Sequence, residues 1–206
     1  PPEFAYTSPY HTGDPTNAYD QLNSGSTHVY MVDGPAAGYL DESASTAGYQ
    51  GIVDNANDKA MVIFGLGKGG RSIYALDVSS LTAPKLAWMI RPDVETGTNA
   101  NATLAAMGMS TGMPDQARVR MSSTSGTTTT YGHKDVLFIG GGLSTDPIDV
   151  RFSTRLGRSL LAVETKTGVL YKTWDFSSDS SMGSVAAGPL AMEVLTGTNL
   201  AQRVYF

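Results

Sequence analysis

The sequence predicts an all-β chain assembled from repeated antiparallel sheets. Three observations lead there: a run of short apolar strands joined by turns, a later run that repeats it in order, and no helical stretch between the repeated elements. The first run is Met61 to Ile90. Met61 to Leu66 is continuously apolar and is closed by Gly67-Lys68-Gly69-Gly70, where glycine can take the positive φ of a tight hairpin. Ser72 to Val78 carries Ile73, Tyr74, Ala75 and Leu76, then stops at the polar turn Asp77-Val78-Ser79-Ser80. Lys85 to Ile90 follows Pro84 and carries Trp88. Such a three-stranded meander cannot bury both of its faces alone, so it needs neighbouring sheets.

The second run supplies one. Gly70-Arg71-Ser72-Ile73-Tyr74-Ala75-Leu76-Asp77 is matched by Gly157-Arg158-Ser159-Leu160-Leu161-Ala162-Val163-Glu164. Before it, Val62 to Gly65 is matched by Val136 to Gly140. After it, Leu86-Ala87-Trp88 is matched by the stretch Tyr171 to Trp174. Met107-Gly108 with Gly112 and Pro114 is echoed by Met182-Gly183 with Gly188 and Pro189. Strand-turn-strand self-similarity of this kind is the mark of a β-propeller or a related β-repeat array. The expected organisation is part of one insertion-rich, quinoprotein-like propeller with open ends. Its approximate blades are 27–91, 104–176 and an incomplete 182–206, with 1–26 ending a preceding unit or forming a loop. Pro1-Pro2 at one end and apolar Val204-Tyr205-Phe206 at the other read as a segment of something larger.

Composition narrows the function. With 206 residues, 41% of them apolar, the chain can bury a core; 23 glycines and 10 prolines favour turns over long helices. Charged residues make up 16% and the net charge is −5, which disfavours a phosphate-tracking nucleic-acid surface. No apolar run is long enough to span a bilayer, and no secretory leader pattern opens the chain. Without cysteine there is no disulfide, thiolate metal site or cysteine nucleophile. The charge-poor Ser/Thr/Gly/Asn loops lean toward an exported protein.

In chain order, His28 to Val32 suits a buried first strand closed by Asp33-Gly34-Pro35, and residues 36–58 read as a loop holding Tyr39 and Tyr49. His11, His28 and His133 each stand without a second ligand at metal spacing, so they read as structural. Asp54-Asn55-Ala56-Asn57-Asp58 invites a calcium reading, but Ala56 and Lys59 break the loop pattern and an Asx-turn fits better. Gly65 to Gly70 lacks the Lys-Ser/Thr pair and following helix of a phosphate loop. Asp77 and Glu164, at equivalent positions, read as carboxylates accepting turn amides and not as acid-base groups. Residues 91–106 form a polar insertion, and 104–114 open the next unit with an inner strand whose Met107, Met109 and Met113 fill core. The Ser/Thr-rich stretch from Met121 to Tyr131 is a solvated tip, Asp135 to Gly142 a buried strand, and Leu143 to Leu156 an insertion. Gly157 to Phe176 completes the sheet around the turn Thr165-Lys166-Thr167-Gly168, and Ser184 to Pro189 begins a third unit. Insertions between constant strands gather on one face, where binding is sought.

These phrases also carry a family likeness. FGLGKGGRSIYALDVS from Phe64, flanked by HVYMVDG and KDVLFIGGG and followed by LLAVETKTGVLYKTWDF, GSVAAGP and RVYF, resembles the C-terminal propeller of the PilC/PilY type IV pilus adhesins over residues 27–206. The resemblance implies an extracellular, pilus-tip or cell-surface protein that assists pilus assembly, restrains retraction and mediates attachment to host cells or abiotic surfaces. The implied partners are minor pilins. The family's DxDxDG calcium loop is not found at Met192 to Leu200, and no Arg-Gly-Asp tripeptide occurs, so neither calcium control nor integrin-type binding is carried over. No catalytic, cofactor or metal residue is assigned, and the expectation is a non-enzymatic binding module. The alternatives are a quinoprotein-like propeller oxidoreductase, with Trp88 and Trp174 stacking on a redox ring, and a purely structural surface protein.

Overall fold

The computed structural model of the chain describes residues 32–42, 51, 53, 58–92, 102–144, 156–193 and 200–206. Their architecture is all-β. Strands β1 (Ala36–Asp41), β2 (Lys59–Gly65), β3 (Ile73–Asp77) and β4 (Lys85–Ile90) form a four-stranded sheet in sequential order, every neighbour antiparallel. A helical turn, α1 (Ala102–Ala105), leads to a second sheet built the same way. It contains β5 (Asp115–Ser125), β6 (Thr128–Gly140), β7 (Ser159–Glu164) and β8 (Leu170–Asp175). A third sheet pairs β9 (Leu190–Met192) with β10 (Arg203–Tyr205).

Period-two burial explains how the sheets stack. One face of the first sheet carries Tyr39, Met61, Ile63, Ile73, Ala75, Trp88 and Ile90, which pack with Met107, Leu137, Ile139, Leu161 and Val163 in one buried cluster. The other face of the second sheet carries Val136, Phe138 and Ala162, packed against Ala191 and Val204 of the third. The second sheet is therefore buried on both faces, which is why β7 is buried at every position from Ser159 to Val163 where burial in β3 alternates.

The two four-stranded sheets pair in the same register. Met61 faces Asp77 across the first sheet as Val136 faces Glu164 across the second, and both sheets slip register at one equivalent point, between Ala75 and Leu76 and between Ala162 and Val163. The pairing itself corrects the match between the tryptophans. Ala75 pairs with Trp88 but its counterpart Ala162 pairs with Lys172, while Trp174 pairs with Leu160 as Ile90 does with Ile73. Trp88 is buried; Trp174 is 38% exposed.

Other expectations are corrected by pairing. Residues 36–41, read as loop, are β1, because Tyr39 turns inward beneath the second sheet. The 104–114 segment forms no regular strand: it leaves α1 and makes a single antiparallel bridge, Met109 with Leu143. Of its methionines Met107 is core filler as expected, but Met113 is 52% exposed. The Ser/Thr-rich tip is exposed, as its composition implies, yet it is paired β structure, continuous with β5 and β6. The turn after β2 is a 3-10 turn over Gly67–Gly69, and Gly67 alone among its glycines has a positive φ in the left-handed region. Among the described residues no helix is long and apolar enough to cross a membrane.

Candidate functional site

Two regions are built from side chains that the core does not explain: the seam that locks neighbouring sheets together, and a hairpin that leaves the second sheet. The seam has three fastenings. At one end of the sheets the chain passes from the first sheet to the second through Ser110. Its amide donates to Gly70 O at 3.1 Å, its carbonyl accepts from Gly67 N at 3.2 Å, and its Oγ accepts from Leu66 N at 2.8 Å. Its hydroxyl faces Ser72 O at 3.0 Å. In the next unit Val185 makes the equivalent backbone bonds, donating to Gly157 O at 2.8 Å and accepting from Gly142 N at 2.9 Å. Gly67 and Gly142 both hold positive φ, +61° and +93°. A Cβ on Gly65 would meet Ser110 O at 2.4 Å, and one on Gly140 would meet Val185 O at 2.7 Å, so backbone approach selects glycine at both places. This is what the glycine-rich stretches do; they cradle the next segment of chain.

The second fastening is Trp88. Its indole Nε1 donates to Thr165 O at 2.9 Å, and Gly168 in the β7–β8 turn, at φ +70°, leaves room for the ring. The third is Tyr39, whose hydroxyl donates to Asp135 Oδ2 at 3.1 Å. Burial, reinforced by the Asp135 and Asp41 carboxylates, pushes this phenol far above its ordinary pKa, so it remains a proton donor. Lys166 reaches across to the buried Asp41 in the same strip. Arg71 and its counterpart Arg158 each donate to backbone carbonyls of the following segment, Arg71 to Met107 O at 2.7 Å and Arg158 to Asp179 O at 3.2 Å.

Asp77 and Glu164 behave as structural carboxylates. Asp77 Oδ1 accepts the Ser79 amide at 3.0 Å and Oδ2 accepts Lys59 Nζ at 3.0 Å. The Ser79 hydroxyl first, then its amide and Lys59, hold the carboxyl down at about 2. Glu164 differs in partner: it takes the Thr167 hydroxyl, not a turn amide, with Lys134 Nζ at 3.3 Å, and its pKa is lowered chiefly by Thr167. Lys59 and Lys134 occupy equivalent positions on β2 and β6.

The hairpin is the region that presents chemistry outward. β7 pairs with β6 only over Val136–Gly140, so β5 and β6 run on together past the sheet edge to the two-residue turn Gly126-Thr127, with Gly126 at φ +59°. The face that begins with Arg118 and Asp135, joined at 3.0 Å, continues through Arg120 and His133 to Tyr131 and the facing hydroxyls of Thr124 and Thr129, 3.0 Å apart. The Arg120 guanidinium lies over the Tyr131 ring at 4.1 Å. A cavity of about 310 Å³ runs along the arm between Met121, Ser122, Thr130, Tyr131, Gly132 and Lys134. From Val119 to Lys134 the arm carries no carboxylate, although the chain as a whole is acidic. Such a surface can bind through hydroxyls, guanidinium and ring faces.

His133 thus lies on this arm, opposite Arg120, whereas His11, His28 and the Asp54 to Asn57 stretch fall outside the described residues. Asp58, at the end of that acidic stretch, is buried at the start of β2. Among the described residues no three His, Asp or Glu side chains stand close enough to hold a metal ion. The sequence reading missed the arm because its Ser and Thr run has no apolar face; the signal present was β-branched threonine on both sides of a Gly turn.

No family model matches the chain, and no curated protein matches it. Among solved structures it is similar to the crystal structure of the Pseudomonas aeruginosa PilY1 C-terminal domain, at 17% identity and a TM-score of 0.47. The alignment covers 88% of this chain and 29% of that one, so the chain spans less than a third of that structure's length.

Proposed function

We propose that the chain is a sector of a β-propeller in a type IV pilus-tip protein of the PilC/PilY kind. In this reading it is a non-enzymatic module, outside the cell, that docks on minor pilins and holds loops outward for attachment. The propeller reading rests on one observation: the two four-stranded sheets recur with the same register and bulge, equivalent backbone bonds stitch each to the next segment, and the sheets stack front to back. The face of β2 and β3 that carries Ile63 and Ala75 packs on the second sheet, and the equivalent face, with Phe138 and Ala162, packs on the third. Head-to-tail contacts that repeat in this way close into rings or run on as arrays. The pilus assignment rests on the ordered phrases from Phe64 to Phe206 that resemble that family. The projecting hairpin is the surface proposed to meet a partner, since loops on a rigid sheet scaffold are where binding residues concentrate.

The oxidoreductase alternative gains nothing from the tryptophans. Trp88 is engaged in the seam and Trp174 lies in another register position at the surface. The test is co-purification of the full-length protein with minor pilins, together with a count of surface pili in a deletion strain. Pilin capture and loss of pili are expected. No capture, with normal piliation in the deletion strain, would refute the reading.

A further inference from the structure

The β5–β6 arm carries polar side chains that the rest of the chain leaves without partners. Arg120 pairs directly with His133, and Ser122, the next residue of β5 on that face, pairs with Tyr131. Tyr131 is 63% exposed, with Arg120 and His133 exposed beside it. The Arg120 guanidinium rests on the Tyr131 ring, a contact that uses the flat face of the head and leaves its N–H rim for another partner. Among the described residues neither Arg120 nor His133 makes a hydrogen bond or an ion pair, whereas the adjacent Arg118 is held by Asp135 and Lys134 by Glu164. This face continues the one that the first sheet covers: Tyr39 still reaches Asp135, and from His133 outward the face is open. It belongs to the second sheet, which already has a neighbour on each side, so sheets added at either end of the stack do not reach it.

A guanidinium stacked in this way suits a planar anion, because a carboxylate takes two parallel N–H bonds from the rim. The rest of the face indicates what carries that carboxylate. Beyond Tyr131 it offers the hydroxyls of Ser122, Thr124 and Thr129 and no large aliphatic side chain. A protein partner would need an apolar centre from which water is expelled, and this face has only one ring to supply it. A sugar chain needs what is present: hydroxyls to meet its own, and an aromatic surface for its C–H groups. We propose that the arm binds an acidic polysaccharide, with Arg120 receiving a uronate carboxylate, Tyr131 packing on the sugar and the Ser and Thr hydroxyls meeting its hydroxyls. The inference rests on the reading of the hairpin as the attachment surface and names the chemistry to which that surface attaches.

The experiment measures binding of the full-length protein to immobilised polygalacturonate, to its fully methyl-esterified form and to poly-L-glutamate. Polygalacturonate should be bound. The ester, which has the same sugars without the charge, should be bound at least about tenfold more weakly, and polyglutamate no better than the ester. Arg120→Ala should weaken binding to polygalacturonate by about tenfold or more, and Tyr131→Ala should weaken it as well. Lys172→Ala, which removes an exposed cation from β8 and not from the arm, should change nothing. Thermal midpoints check that each variant folds, and Arg120→Gln replaces Arg120→Ala if the latter does not. Absence of binding to polygalacturonate, equal binding to the ester, or wild-type binding by the Arg120 variant overturns the inference. Polyglutamate bound as tightly as polygalacturonate also overturns it, in favour of an acidic protein segment. A protein that ignores polygalacturonate, yet loses surface attachment when residues 122–131 are replaced, would remove the polysaccharide and leave the hairpin reading standing.

Discussion

Trp88 shows how a single side chain decides whether neighbouring sheets hold. Its ring is buried between β4 and the β7–β8 turn, and its indole satisfies the carbonyl of the fully buried Thr165. Trp88→Phe leaves that carbonyl without a donor, and unfolding in urea should register a loss of about 1–3 kcal/mol. Trp174→Phe, at the surface, should stay within about 0.5 kcal/mol of wild type. Gly168→Ala should cost more than Gly126→Ala. Both glycines sit at positive φ, which costs a side chain about 1–2 kcal/mol, but only at Gly168 would the new Cβ meet the Trp88 ring, at 2.7 Å from Cδ2. Equal losses would mean that the turn and the ring do not touch. Asp77 gives the molecule an acid-sensitive point. Its carboxyl falls from 3.8 to about 2 on folding, so its stabilisation is complete above pH 3.8 and fades as pH falls through about 2. The stability gap between wild type and Asp77→Asn should therefore narrow over that interval, and a gap that widens on acidification would contradict the bonding described for Ser79 and Lys59.

At the scale of elements, the hairpin separates scaffold from surface. Its outer residues bury almost nothing, so replacing 122–131 with Asn-Gly, which closes Met121 onto Gly132 in register, should leave the thermal midpoint nearly unchanged while abolishing surface attachment by the full-length protein. A large fall in the midpoint, or attachment that survives, would show that the arm is not the binding element. The contrast also explains what could be read in advance. β2, β3, β4, β7 and the TKTG turn were legible because buried strands write themselves as apolar runs between turn residues, and because the chain states them twice. β1 was not: AAGYLD shows one large inward residue, Tyr39, and is strand only because β2 lies beside it. The shared bulge at Ala87 and Tyr171 likewise leaves no local trace, and matching the tryptophans by residue type put them two positions out of register, because pairing sets Trp88 level with Lys172 and Trp174 level with Ile90. Of the candidate surface, glycine and threonine were visible, but the alignment of Arg118, Arg120, His133 and Tyr131 on one face exists only through the pairing of β5 with β6.

Taken as a whole, the first two sheets share one core, and neither can lose it alone. Ile63 of β2, Ile73 and Ala75 of β3, and Leu161 and Val163 of β7 belong to a single buried cluster, with Ser110 stitched to the backbone of the first sheet on its way to the second. A sheet stripped of its neighbour would expose an apolar face and lose the Trp88 and Tyr39 hydrogen bonds together. The two should therefore open as one cooperative unit. Ile63→Ala, at a site with no solvent exposure, removes about 2–5 kcal/mol by leaving a cavity. Native-state hydrogen exchange should show that loss equally at the amides of β3 and of β7, although β7 contains no altered residue. Protection lost in β3 and kept in β7 would mean that the sheets are independent plates that merely touch. The repeated stitching would then be a consequence of chain connection and would hold no stack together.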